Sequence, residues 1–269
     1  MRARFLWPVV ALLGLPAWAD AQVEVLVDVL ALSETVETLR VEGLENASEL
    51  DRDMLGGNGG AAFQAQVNAI YDPARMTETL RAALGEALTP EQREEVIAFF
   101  DGPAGARIIA LENSARSAIL DEGVEAAARA RYTALEGTQD ARLDMITDLI
   151  GTGDMISRNV TAAMNANLQF LRGLSEGDAL DMAEAEILSD VMGDMEEITL
   201  DTTSWLYGYM LLAYSPLSEE ELADYIAFSR RSAGTALNRG LFEGFGRIYT
   251  EISYALGRVV ALNMAAEEL

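Results

Sequence analysis

The chain predicts an all-α protein built from two related helical-hairpin or bundle repeats in tandem, and three observations predict it. The block from Leu88 to Gly105 aligns without a gap on the block from Leu217 to Gly234 at a constant offset of 129, keeping Leu, Glu, Ile-Ala-Phe and Ala-Gly at matching positions. Such self-similarity marks one structural unit used twice. Apolar residues recur at helical spacing, as in Val23, Leu26, Val27 and Leu30, which fall at i, i+3, i+4 and i+7. Half of the residues are apolar, enough to fill a sizeable core. The expected division is 1–19 as a signal peptide, 20–137 as the first helical repeat and 138–269 as the second.

Met1 to Ala19 has the three parts of a secretory leader: Arg2 and Arg4, an apolar run from Phe5 to Leu15, and a small-x-small site at Ala17-Trp18-Ala19. The run is too short to span a bilayer, and no later segment is an uncharged apolar stretch of that length. A secreted, periplasmic protein is expected, with no integral membrane segment in the mature chain.

The valines from Val23 to Val29 also alternate like a strand, but the second half decides for helix. At an offset of 120, Leu143, Ile146, Thr147 and Ile150 keep the helical spacing and lose the alternation. A glycine-containing break is expected after each opening stretch, at Gly56 to Gly60 and at Gly173 to Gly177. The first of these lacks the Lys and the preceding strand of a phosphate-binding loop and reads as a helix-to-helix connection.

Asp72-Pro73 reads as an N-cap followed by a first-turn proline. Thr89-Pro90-Glu91-Gln92 adds Gln at the third helical position, a capping box, and Ser218-Glu219-Glu220-Glu221 repeats it with Leu217 and Leu222 placed to form a hydrophobic staple. The helices so started should bury Val96, Ile97 and Phe100 in one half and Leu222, Tyr225 and Ile226 in the other, with Phe99 and Phe228 equivalent. Gly105 and Gly234 fall inside the following helices, where glycine costs about 1 kcal/mol against alanine. Their placement predicts a close backbone approach. A last long helix is expected from about Leu241 to Leu262.

Phe99-Phe100-Asp101-Gly102-Pro103-Ala104-Gly105-Ala106-Arg107 resembles the signature of the exported bacterial family called domain of unknown function 2059: Phe and an aromatic, then Pro, Gly and a basic residue at fixed spacing. The resemblance covers roughly Asp72 to Tyr132, and the stretch around Asp144 to Met164 has a similar look. The second half departs from the pattern, with Ser232 in place of the proline and Ala236 in place of the basic residue. The resemblance implies an all-helical exported protein and no established activity.

Composition excludes more chemistry than it suggests. The formal charge is −25, from 44 carboxylates against 19 basic residues, every one of them Arg, and there is no His or Cys. Nucleic acid is not an expected partner, because phosphate binding needs a concentrated basic face. Without His, Cys or Lys there is no Ser-His-Asp or Cys-His nucleophile system, no lysine Schiff base, no His-bearing zinc site and no disulfide. No catalytic residue, metal site or cofactor is assigned. Carboxylate chemistry survives, either as acid and base pairs or as oxygen-only cation sites. Asp190, Asp194 and Glu197 share a helical face, which reads as a solvated acidic surface.

Ten of the aromatic residues lie between Trp205 and Tyr254. Tyr and Trp combine an apolar body with a polar handle and are favoured where something docks, so Trp205 and Tyr209 are candidate binding residues beside the core-packing reading. Arg230 and Arg231 form the one adjacent Arg pair after the leader and sit before a helix start, where two guanidinium forks can hold an anion or pair with local acids such as Glu219, Glu220 or Asp224. The leading expectation is a non-enzymatic module that binds a protein or small-molecule ligand through the aromatic second half. The alternative is a carboxylate-dependent hydrolase acting on cell-envelope material.

Overall fold

Side-chain caps and prolines start helices where the sequence places them, and they set the element order. The computed structural model describes residues 15–267, with side chains from 21 to 265; Met1 to Gly14 of the expected leader lie outside the described residues. The helices are α1 (Leu15–Val29), α2 (Leu32–Met54), α3 (Gly60–Ile70), α4 (Pro73–Ala87), α5 (Pro90–Phe100), α6 (Pro103–Ala118), α7 (Glu122–Leu135), α8 (Ala141–Thr152), α9 (Met155–Glu176), α10 (Glu184–Gly193), α11 (Met195–Ala213), α12 (Glu219–Ser229) and α13 (Ser232–Glu267). The described residues contain no strand, and the protein is all-α. No helix among them is long and apolar enough to cross a membrane.

The blocks that match in sequence adopt matching shapes. Thr89 and Ser218 have N-cap dihedrals of −70°, 162° and −69°, 163°, and both complete the capping box, with Gln92 and Glu221 reaching back to the cap backbone. Leu217 and Leu222 are buried in one cluster, as a staple requires. Each capped helix turns into the next through a corner that only glycine fits. A Cβ on Gly105 would lie 2.5 Å from the Phe100 Cα, and one on Gly234 would lie 2.7 Å from the Ser229 Cα.

Junctions elsewhere also correspond. Ala31 before α2 and Asp154 before α9 hold almost the same left-handed conformation, 48°, 40° and 50°, 38°. That places the opening helices in register at an offset of 123, not the expected 120. Val23, Leu26 and Val27 then match Ile146, Leu149 and Ile150, all of them buried. Thr147, expected in the apolar stripe, is exposed, because the core is lined by Leu149 instead.

Helix pairs pack in the same combinations in both halves: α1 with α5 and α4, α2 with α4, and α5 with α6, against α8 with α12 and α11, α9 with α11, and α12 with α13. Across the halves the contacts are reciprocal. Helix α13 lies on α4, while its counterpart α6 lies on α11. Gln92 Nε2 donates to the Ser232 hydroxyl at 3.0 Å, and its counterpart Glu221 pairs with Arg107. The equivalent rings of Phe99 and Phe228 stack on each other at 4.0 Å and 10°.

Neither run of helices owns a core. One apolar cluster joins α1 to α5 with Leu174, Phe228 and much of α13; the other joins Ile108 and Ala115 of α6 to α8, α11 and α12. Two expectations are corrected here. Gly173 does not break the chain but sits inside α9, and the connection begins at Gly177. A Cβ on Gly173 would lie 3.0 Å from the Gly257 Cα, so this glycine lets α9 and α13 cross backbone to backbone. The last helix starts at Ser232 and not near Leu241, because Gly234 packs against the end of α12 and Gly240 against α4 instead of ending it.

Candidate functional site

Helix α11 carries the aromatic pair. Trp205 and Tyr209, one helical turn apart, stack at 5.2 Å with an interplanar angle of 6°, and both are half-buried. The Arg116 guanidinium of α6 lies 5.2 Å from the Trp205 ring centre, a cation–π distance. Arg116 also pairs with Glu42 of α2. The Tyr209 hydroxyl donates to the main-chain carbonyl of Glu112 at 3.1 Å. Helices α2, α6 and α11 therefore meet at a polar seam within otherwise apolar packing.

Arg230 and Arg231 are engaged elsewhere. Arg230 pairs with Asp148 of α8, its Nη2 lying 2.6 Å from Oδ2, and Arg231 pairs with Glu95 of α5 at 3.3 Å. Their partners come from other helices and not from Glu219, Glu220 or Asp224. The structure joins Trp205 to Tyr209, while the two arginines bind separate helices at the α12–α13 corner.

Glu112 is the residue that sequence reasoning missed. Its Oε1 accepts hydrogen bonds from the Tyr214 hydroxyl at 2.6 Å and the Tyr225 hydroxyl at 3.2 Å. Burial pushes the carboxyl up from its ordinary value, and the two hydroxyls pull it down without cancelling the rise. Their own burial, and after it the same carboxylate, hold Tyr209, Tyr214 and Tyr225 well above the ordinary phenol range. A signal was present: Ile108, Glu112, Ala115 and Ile119 follow one helical stripe, and the three apolar members are buried. A carboxylate in such a register is expected to have partners.

Glu42 is similar but less complete. Burial raises its carboxyl while Arg116 lowers it, and its Oε1 is buried without a hydrogen-bond partner. Burial, with Tyr249 and Glu42 nearby, lifts the Tyr71 phenol to about 12. Chemically, the seam offers stacked rings, one guanidinium and a buried acceptor, which suit recognition.

The concave surfaces lie away from the seam. One of about 60 Å³ is bounded by Gly153, Met155, Tyr225 and Asn238, and an open groove of about 460 Å³ runs between α7 and α11, bounded by Val124, Ala128, Arg131 and Leu211. Trp205 lines neither. Asp190, Asp194 and Glu197 are exposed, and among the described residues no group of three or more carboxylates is placed to hold a metal ion.

Residues 74–131 match the model of a family described as an uncharacterized protein conserved in bacteria, domain of unknown function 2059. The match runs from α4 to α7, includes the Phe99 to Arg107 signature, and stops before the stretch around Asp144 to Met164. No curated protein matches the chain. No solved structure matches it either.

Proposed function

We propose that the protein is a non-enzymatic binding module that works after export to the periplasm, built from two related helical repeats in tandem, and that it holds a ligand or partner at the Trp205 seam. The observation that carries this reading is the Trp205–Tyr209 pair, two stacked and half-exposed rings beside the Arg116 guanidinium. Aromatic faces and a guanidinium recognise flat or anionic groups without reactive chemistry. The absence of His, Cys and Lys from the chain supports binding over catalysis.

Trp205 is the one tryptophan after the leader, so its emission reports the seam directly. Titration with envelope fragments, fatty acids or divalent ions is expected to give a saturable change that Tyr209→Ala weakens. No response across that panel would overturn the reading.

One observation favours the hydrolase alternative: the raised carboxyl of Glu112 has the character of a general acid. Its oxygen is already taken by two tyrosine hydroxyls, which makes a structural role the stronger reading. Hydrolysis of an envelope glycan that is abolished by Glu112→Gln, in a variant that melts like the parent, would reverse that order.

A further inference from the structure

Arg131 is the exception among the arginines. Ten others after the leader pair with carboxylates. Arg40, Arg75, Arg93, Arg142 and Arg258 donate to main-chain carbonyls, and Arg158 lies over the Phe242 ring. Among the described residues Arg131 has no partner of any of these kinds, in a chain of 44 carboxylates. The positions one helical turn to either side of it are Ala127, Ala128, Ala134 and Leu135, so its own helix offers no carboxylate within reach. Arg129, on another face of α7, takes both Glu125 and Asp201.

This unclaimed guanidinium lines the groove of about 460 Å³ between α7 and α11. Tyr207 stacks on Tyr132 at 4.5 Å, and a Cβ on Gly208 would lie 3.0 Å from the Ala128 carbonyl carbon, so the two helices run antiparallel and close together. Val124, Ala127, Ala128 and Arg131 fall at i, i+3, i+4 and i+7 on the α7 side, and Leu211 and Leu212 form the α11 side. Long helical side chains lean toward the N-terminus, which carries the Arg131 head back over the alanines. Asp121 lies at the opposite end, about 15 Å away by helical rise. Its carboxylate accepts from the Gly123 and Val124 N–H groups at 2.9 and 3.1 Å.

We propose that this groove binds a fatty acid, with its carboxylate on the Arg131 guanidinium and its alkyl chain running over Ala127 and Leu212 toward Asp121. Charge and shape select that occupant. A guanidinium fork matches a planar carboxylate bidentately, and the Asp121 charge at the far end sets the direction in which the ligand lies. The walls between the two ends are aliphatic and suit a chain without polar groups. An extended peptide would find no main-chain partners there, because both helices satisfy their backbones internally. The other carboxylates of the chain oppose an anion only weakly beyond a Debye length, about 8 Å at physiological ionic strength. The groove shares no residue with the Trp205 seam, and the proposal stands whether or not that seam binds a ligand.

The test is calorimetric titration of the full mature chain with decanoate, with decanol, acetate and a short Ala/Leu peptide bearing a free C-terminal carboxylate as comparison ligands. Decanoate is expected to bind with one-to-one stoichiometry and at least about tenfold tighter than any of the three. Arg131→Gln, at an exposed position, should melt like the parent and weaken decanoate about tenfold while leaving decanol unchanged. Ala127→Phe, also at an exposed position, fills the groove and should weaken decanoate and decanol alike. Tyr209→Ala, which removes the stack at the seam, should leave decanoate binding intact. Equal binding of decanol, tighter binding of the peptide, indifference to Arg131→Gln or to Ala127→Phe, loss of binding in Tyr209→Ala, or no binding of decanoate would each overturn the proposal.

Discussion

Removing the Phe228 ring tests whether the two helical runs are held together by their equivalent residues. Phe228 is 1% exposed, stacks on Phe99 at 4.0 Å and meets Phe100 edge-on at 5.5 Å and 89°. Truncating a buried Phe to Ala costs about 3 to 5 kcal/mol, part of it from the cavity left behind. For a chain of this size each kcal/mol lowers Tm by roughly 2 to 4 °C. Phe228→Ala should therefore melt about 6 to 20 °C below the parent. Phe99→Ala should cost less, because that ring is only half-buried. The stacking itself is isolated by a double-mutant cycle: the double variant should fall short of the summed single losses by roughly 0.5 to 1.5 kcal/mol. Urea unfolding of the four proteins, with a shared m-value, measures it. Strictly additive losses, or a Phe228→Ala loss under about 1 kcal/mol, would refute the reasoning.

Glu112→Gln should change how stability depends on pH. Burial raises the folded-state value of Glu112 above 4.5, so the folded protein holds that proton more tightly than the unfolded chain does. Its stabilising effect is then fully present below 4.5 and is lost as pH climbs through the folded value. Urea midpoints should decline less between about pH 4.5 and pH 8 in Glu112→Gln than in the parent, and parallel declines would count against the assignment. Gly105→Ala and Gly234→Ala should each destabilise by about 1 to 3 kcal/mol through overlap with the preceding helix. Helix propensity alone predicts a gain of about 1 kcal/mol, so the sign of a thermal shift decides between packing and propensity. Ser218→Ala should cost about 1 kcal/mol by removing the hydroxyl that accepts from the Glu221 N–H at 3.1 Å, and an unchanged melt would argue that solvent replaces the cap at no cost.

Much of the fold is local and was therefore legible. Caps at Asp72, Thr89 and Ser218 act within a few residues of their own position, and helical spacing names the buried side of a stripe before any partner is known. The matched blocks could be read as one unit because the same cap, corner and glycine recur in each. Register was less secure. An apolar stripe one turn out of phase still looks like a stripe, and only the left-handed junctions at Ala31 and Asp154 set the offset at 123. Gly173 looked like a break for a related reason: glycine weakens an isolated helix, but it is required where α9 and α13 backbones touch.

The candidate site divided along the same line. Sequence spacing put Trp205 and Tyr209 one turn apart, which is enough to stack them. Arg116, Glu42 and Glu112 joined them only through packing of α6 against α2 and α11. The partners of Arg230 and Arg231 likewise came from α5 and α8.

By itself the sequence determined helix content, cap positions, the all-arginine basic set and the absence of most reactive side chains, because each of these depends on residue identity or on neighbours a few positions away. Only the tertiary structure decided which helices exchange partners, which carboxylates lose water and which apolar residues stay exposed. Those outcomes depend on burial, and burial is a property of surfaces that distant parts of the chain present to one another.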